Sequence, residues 1–175
     1  MEIEKKYKLT KDQFDDFRVL FAKEFYNEVS YQEENTVYNS STFLRIRKLI
    51  SSGFPSYIIT TKGETVETNG VKTREEKEFT ASNKNVYECF EMLGYKPSLI
   101  YEKNRTDWWI TEFVTISLDE LPFGYYMEIE AETPKYIEEV EKLLPFIPDV
   151  ELLSYPDLTK IYGKSVNGVV EARFS

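Results

Sequence analysis

Almost every extended stretch of this chain alternates an apolar face with a face carrying charges of both signs, and this pattern restricts the fold more than any other feature. Successive strand residues point to opposite sides of a sheet, so residues two apart share a face. Glu2, Glu4 and Lys6 lie on one face, with Ile3 and Tyr7 on the other. Arg45 and Arg47 oppose Leu44 and Ile46, and Arg74 aligns with Glu76 and Glu78. Lys103 aligns with Arg105, Ser117 with Asp119, and Glu128 with Glu130, the last pair opposed to Met127 and Ile129. Lys62 closes another such stretch.

Eight segments read as strands: 2–9, 30–38, 42–50, 56–62, 71–79, 98–110, 113–120 and 125–132. They are rich in β-branched and aromatic residues. Turn signals such as Asn69-Gly70 and Pro122-Phe123-Gly124 separate several of them. Three helices are expected. The first follows Thr10 as N-cap and lines up Phe14, Phe17 and Phe21. The second lies between Ser82 and Gly94, with Val86, Cys89, Phe90 and Leu93 aligned, and the third opens at Pro134. A short fourth follows Pro156.

An ordinary half-exposed sheet also turns its charges to water. Here the helices supply apolar stripes that need a surface to cover, and closing the sheet removes its exposed edges. The expected fold is therefore α+β, mainly antiparallel β: a closed eight-stranded barrel with helices packed outside and charged faces inward. Residues 1–163 form its single domain, and 164–175, without a clear period, form a C-terminal tail.

Composition removes several chemistries. The chain has no histidine and one cysteine, which excludes imidazole bases, thiolate clusters and disulfides within the chain. Cys89 reads as a packed core thiol. Any metal must be held by oxygen, as magnesium, manganese or calcium are. With 22 basic and 31 acidic residues the net charge is −9, which argues against a long nucleic acid as partner but leaves room for a small polyanion if the cations gather in one place. No apolar run is long enough for a membrane span, and Met1-Glu2-Ile3-Glu4-Lys5 does not resemble a signal peptide. A cytoplasmic protein, monomer or homodimer, is expected.

Glu2-Ile3-Glu4-Lys5-Lys6 resembles the Glu-x-Glu-x-Lys signature of the CYTH superfamily, the triphosphate tunnel metalloenzymes. The resemblance continues in order through Leu44-Arg45-Ile46-Arg47, Thr61-Lys62-Gly63, Arg74-Glu75-Glu76-Lys77-Glu78, Lys103-Asn104-Arg105, Leu118-Asp119-Glu120 and Tyr126-Met127-Glu128-Ile129-Glu130. It implies an eight-stranded antiparallel tunnel. It implies Glu2, Glu4, Asp119, Glu128 and Glu130 as carboxylates for Mg2+ or Mn2+, with Glu76 and Glu78 extending the acidic wall. Lys6, Arg45, Arg47, Lys62, Arg74, Lys103 and Arg105 are implied as phosphate-binding cations, with Lys160 a further candidate. Glu2, Glu4 and Lys6 form the catalytic set.

The implied activity is metal-dependent hydrolysis of a small triphosphate-bearing substrate: inorganic, nucleoside or thiamine triphosphate. One alternative is a class IV adenylyl cyclase, in which the ribose hydroxyl of ATP displaces pyrophosphate. Another is a domain that binds polyphosphate or nucleotide without turnover. Hydrolysis is preferred because water needs no nucleoside pocket. The general base is a carboxylate, a lysine or a metal-bound hydroxide.

Overall fold

The structure, a computed structural model, describes residues 2–51 and 53–175. Its elements are β1 (Glu2–Leu9), α1 (Lys11–Glu24), β2 (Glu28–Tyr38), β3 (Phe43–Ser51), β4 (Phe54–Lys62), β5 (Val66–Thr68), β6 (Val71–Arg74), β7 (Glu76–Ala81) and α2 (Asn85–Met92). There follow β8 (Pro97–Thr111), β9 (Val114–Leu121), β10 (Gly124–Ala131), α3 (Pro134–Glu141), β11 (Asp149–Val150), α4 (Tyr155–Tyr162), β12 (Lys164–Val166) and β13 (Val169–Ala172).

Local chemistry explains several boundaries. Thr10 caps α1 through a reciprocal box with Gln13. Asn69 and Gly70 both take positive φ, which turns β5 back into β6 as a tight hairpin. Pro134 opens α3.

The strands form one mainly antiparallel sheet in the order β5-β6-β1-β10-β9-β8-β2-β3-β4-β7, curled into a half-barrel. The expected strand at 71–79 is broken at Glu75. Its first half pairs with β1 and its second half with β4, at opposite ends of the sheet. Among the described residues no ladder joins β6 to β7, so hydrogen bonding does not complete the closed eight-stranded barrel that was expected. One covalent segment with a single irregular residue serves both ends instead.

Alternation sorts the side chains as expected. On the outer face, Ile3, Tyr7, Trp108, Ile116, Met127 and Ile129 are buried beneath Phe14, Phe17 and Phe21 of α1 and Ile137 and Val140 of α3. Ile46, Tyr57 and Ile59 are covered by Val86, Tyr87 and Phe90 of α2. Cys89 is exposed, not packed, because the partly buried stripe of this short helix runs through Val86, Tyr87 and Phe90 and Cys89 falls beside it. No helix among the described residues is long and apolar enough to cross a membrane.

The helices were expected outside, and α4 departs from this. Tyr155 and Leu158 pack on Leu99, Tyr101, Leu121 and Tyr126, which share the parity of Lys103, Asp119 and Glu128 and so lie on the inner face. An inner wall that turns apolar at one end must be covered there, and α4 covers it. The expected tail is also ordered: β12 and β13 form a hairpin, and β13 pairs in parallel with β8. Arg173 then bonds to Glu34, Glu102 and Glu171.

Gly163 links α4 to this hairpin with no room for a side chain, since a Cβ there would meet Thr159 O at 2.6 Å. Gly163→Ala is expected to lower stability by roughly 1–3 kcal/mol, read from urea unfolding; an unchanged midpoint would show that this link is not tightly packed.

Candidate functional site

The register of the inner face sets opposite charges against each other across the ladders. Lys6 faces Glu128, Lys103 faces Glu33, Arg105 faces Asp119 and Lys62 faces Glu76. Such pairs stabilise a sheet where like pairs would not. The result is a chain of alternating charge across six adjacent strands, β3 to β1. Arg47 lies 3.6 Å from Glu33, Glu33 lies 3.4 Å from Lys103, and Lys103 lies 3.3 Å from Asp119. Asp119 accepts bidentate bonds of 2.7 and 2.6 Å from Arg105. Arg105 also donates to Glu128, which lies 3.3 Å from Lys6.

Toward the sheet ends, Lys62 pairs with Glu76 at 2.6 Å and Arg74 with Glu4 at 3.5 Å. Arg45 lies 3.6 Å from Glu78, and Thr60 bridges them by accepting from Arg45 at 3.1 Å and donating to Glu78 at 2.5 Å.

These groups surround a cavity of ≈ 830 Å³. The cations Lys6, Arg45, Arg47, Lys62, Arg74, Lys103 and Arg105 all line it, as do the carboxylates Glu4, Glu76, Glu78, Glu128 and Glu130. Lys160 reaches its rim, paired with Asp157 at 2.9 Å. Asp119 does not line the cavity. It is fully buried behind Arg105 and Lys103, and it also accepts a 2.6 Å bond from the Tyr155 hydroxyl. The backbone of Glu2 stands opposite Arg74, but its side chain lies outside the described residues.

Sequence reasoning missed Glu33, Asn35, Thr60 and Tyr155. Glu33 is hidden in a polar run, Gln32-Glu33-Glu34-Asn35, where neither face stands out. Its opposition to Lys103 emerges only from the register. Tyr155 places its ring 4.0 Å from the Lys6 amine and 5.2 Å from the Lys103 amine, a cation–π contact with each.

Burial and neighbours set the protonation of these groups. Burial pushes the Glu33 carboxyl up, but Arg47, Lys103 and Arg105 outweigh it and hold it well below the usual carboxylate range. Glu128 is lowered in the same way by Lys6 and Arg105. Burial pulls Lys6 down, and Glu128 and Glu4 more than restore it. Lys103 behaves oppositely, because burial and the adjacent Arg105 lower it despite its two carboxylate neighbours. Burial and Asp119 keep the Tyr155 phenol protonated as a donor.

The donor set suits a hard divalent cation. Every candidate ligand is a carboxylate oxygen, and Glu4 and Glu130 are register partners on β1 and β10 with Glu128 two residues along the same face. Carboxylates opposed across a ladder favour a cation between them. Among the described residues no three acidic side chains converge on one point as they stand.

A curled antiparallel sheet with cations and carboxylates facing one cavity, and helices on its apolar side, defines the class of protein. Residues 1–161 match the CYTH domain, and the chain belongs to that family. A structure from Pyrococcus horikoshii OT3 is 25% identical, covers 92% of this chain and 99% of its own, and superposes with a TM-score of 0.76. A second from the same organism is 26% identical over 90% of this chain and 99% of its own, with a TM-score of 0.74. A Hippeastrum protein, named for adenylyl cyclase and described as having a dominant triphosphatase activity, shares the fold at 16% identity. It covers 92% of this chain and 96% of its own, with a TM-score of 0.68. No curated protein sequence matches. Members of the family are triphosphatases or cyclases that use divalent metals on small triphosphate compounds, which supports enzymatic activity for this chain in general terms.

Two outcomes follow from the buried charges. Asp119→Asn places an amide among three donors and is expected to destabilise the metal-free protein by roughly 3–5 kcal/mol, measured by urea unfolding; a near-neutral effect would mean Asp119 does not hold the wall together. Because Glu33 has a lowered value in the folded state, its contribution to stability is full above about pH 4.3 and is lost as pH falls through the folded value. Unfolding free energy should therefore fall between about pH 5 and about pH 2, less steeply in Glu33→Gln; parallel slopes would contradict the cause given.

Proposed function

We propose that this chain is a divalent-metal-dependent triphosphatase whose substrate, inorganic, nucleoside or thiamine triphosphate, enters the half-barrel and lies along its inner wall. The observation that carries this reading is the convergence of seven sequence-selected cations and a β1–β10 carboxylate pair on one cavity. In this reading the segment through Glu75 closes the tunnel, and α4 covers one end.

Arg45, Arg47, Lys62, Arg74, Lys103 and Arg105 bind the phosphate oxygens, exchanging carboxylate partners for ligand oxygens of the same charge. Guanidinium forks suit this exchange because they bind two oxygens at once. Lys6 steadies the phosphate nearest Glu128. Glu4, Glu128 and Glu130, with Glu2, hold Mg2+ or Mn2+. When bound, the ion supplies Lewis acidity and neutralises developing charge. Catalysis of phosphoryl transfer then rests mainly on positioning and electrostatics. With no imidazole in the chain, a carboxylate or lysine of this wall accepts the proton of the attacking water. Asp119 and Tyr155 orient Arg105, Lys103 and Lys6 from behind.

The test is product identity. Protein with Mg2+ or Mn2+ is given inorganic triphosphate, ATP and thiamine triphosphate. Phosphate release is expected, whereas pyrophosphate matched by cyclic AMP would establish the cyclase and tight binding without product a non-catalytic domain. Glu4→Gln should lower metal-dependent kcat by about 10²-fold or more with little change in melting temperature, and wild-type rates would remove Glu4 from the metal site. Arg45→Ala should raise KM by about tenfold; unchanged constants would sink that role.

A further inference from the structure

Glu33 shares full burial with Asp119, but whereas Asp119 takes short bonds from Arg105, the cations beside Glu33 stand at 3.4 and 3.6 Å. Its side chain is 0% exposed, yet it does not line the cavity, since Arg47 and Lys103 stand between it and the lumen. It sits on β2, between β8 and β3, and so reaches cations on both neighbouring strands. One oxygen, Oε2, faces Arg47 Nε at 3.6 Å and Lys103 Nζ at 3.4 Å, and accepts a 2.9 Å bond from the buried Asn35 amide. The other oxygen, Oε1, and Arg47 Nε have no hydrogen-bond partner.

The contrast with Arg105 gives these distances their meaning. Arg105 spends its donors on short bonds to Asp119 and Glu128. Arg47 and Lys103 are each held near Glu33 by charge, but at separations where hydrogen bonds are weak or absent. Arg47 Nε is left without a hydrogen-bond partner, and Lys103 Nζ stands 3.4 Å from Glu33 and 3.3 Å from Asp119. Asn35 fixes the carboxylate by its one close bond, so the spacing of the two cations is set by a rigid anchor on a central strand.

We propose that Glu33 is a positioning residue for triphosphate turnover: shared between Arg47 and Lys103, it sets their separation while leaving their donors available to phosphate oxygens. This inference rests on the triphosphatase reading above. Glu33 touches no substrate and acts only through the two cations.

Glu33→Gln retains the shape and the Asn35 contact but removes the charge. It should lower kcat by about 10²-fold while KM stays within about threefold. Calorimetry with inorganic triphosphate in chelator should show binding no weaker than wild type, because both cations remain. A folded variant with kcat within about twofold of wild type would overturn the proposal, as would a loss carried wholly by KM. If Glu33→Gln does not fold, Asn35→Leu keeps the charge and frees the carboxylate; it should lower kcat by about three- to tenfold at constant KM, and an unchanged kcat would count against the anchor. Should wild type turn over no triphosphate, the functional reading falls, and Glu33 is judged by NMR alone. The Arg47 Nε–Hε resonance, assigned with Arg47→Lys, should be resolved in wild type and averaged in Glu33→Gln or Asn35→Leu; an identical signal would refute the anchoring role.

Discussion

The alternating ion pairs from Arg47 through Glu33, Lys103, Asp119, Arg105 and Glu128 to Lys6 are the interaction on which the inner wall depends. Taking charges out of water costs several kcal/mol per ion, and mutual attraction recovers this only with good geometry. The pairs are thus not the source of the protein's stability. That comes from the outer face, where Phe17, Phe21, Trp108, Ile129 and Ile137 are almost wholly buried. What the ion pairs accomplish is to let a wall of high charge density exist at all. Each cation of this series has an anionic neighbour, so the wall is close to electrostatic balance by itself.

The outer helices and inner charges are two results of one sequence pattern. Strand alternation sends Ile3 and Tyr7 toward α1 and α3 while Glu4 and Lys6 go the other way. Slipping β1 by one residue would exchange the two sets, burying carboxylates beneath phenylalanine and exposing tyrosine to the cavity. The register of β1 against β10 is therefore held from both sides, by apolar packing outside and by the Lys6–Glu128 pair inside.

Much of this was legible in the chain because period-2 alternation is local. The Arg-x-Arg and Lys-x-Arg pairs, the Thr10 cap and the Asn69-Gly70 turn each declare themselves within a few residues. What was missed depends on partners far away. Alternation passes through Arg74, Glu76 and Glu78 without interruption, so nothing local marks Glu75 as the point where the ladder changes partner. Amphipathicity shows that α4 has an apolar face but not which side of the sheet receives it. Glu33 had no apolar contrast to expose it. The hairpin at the C-terminus is different: Asn167-Gly168 carries the same positive-φ turn as Asn69-Gly70, and that signal was present to be read.

The placement of β1 has a bearing on how the molecule comes into being. Among the described residues β1 pairs with β6 and, more than a hundred residues downstream, with β10 and β11. Pairings between such distant segments form slowly, because the loop between them must first be closed. Glu4 and Lys6 thus remain without their β10 partners until residues 124–131 have been synthesised. A nascent or truncated chain ending before residue 124 lacks the strand that completes their surroundings.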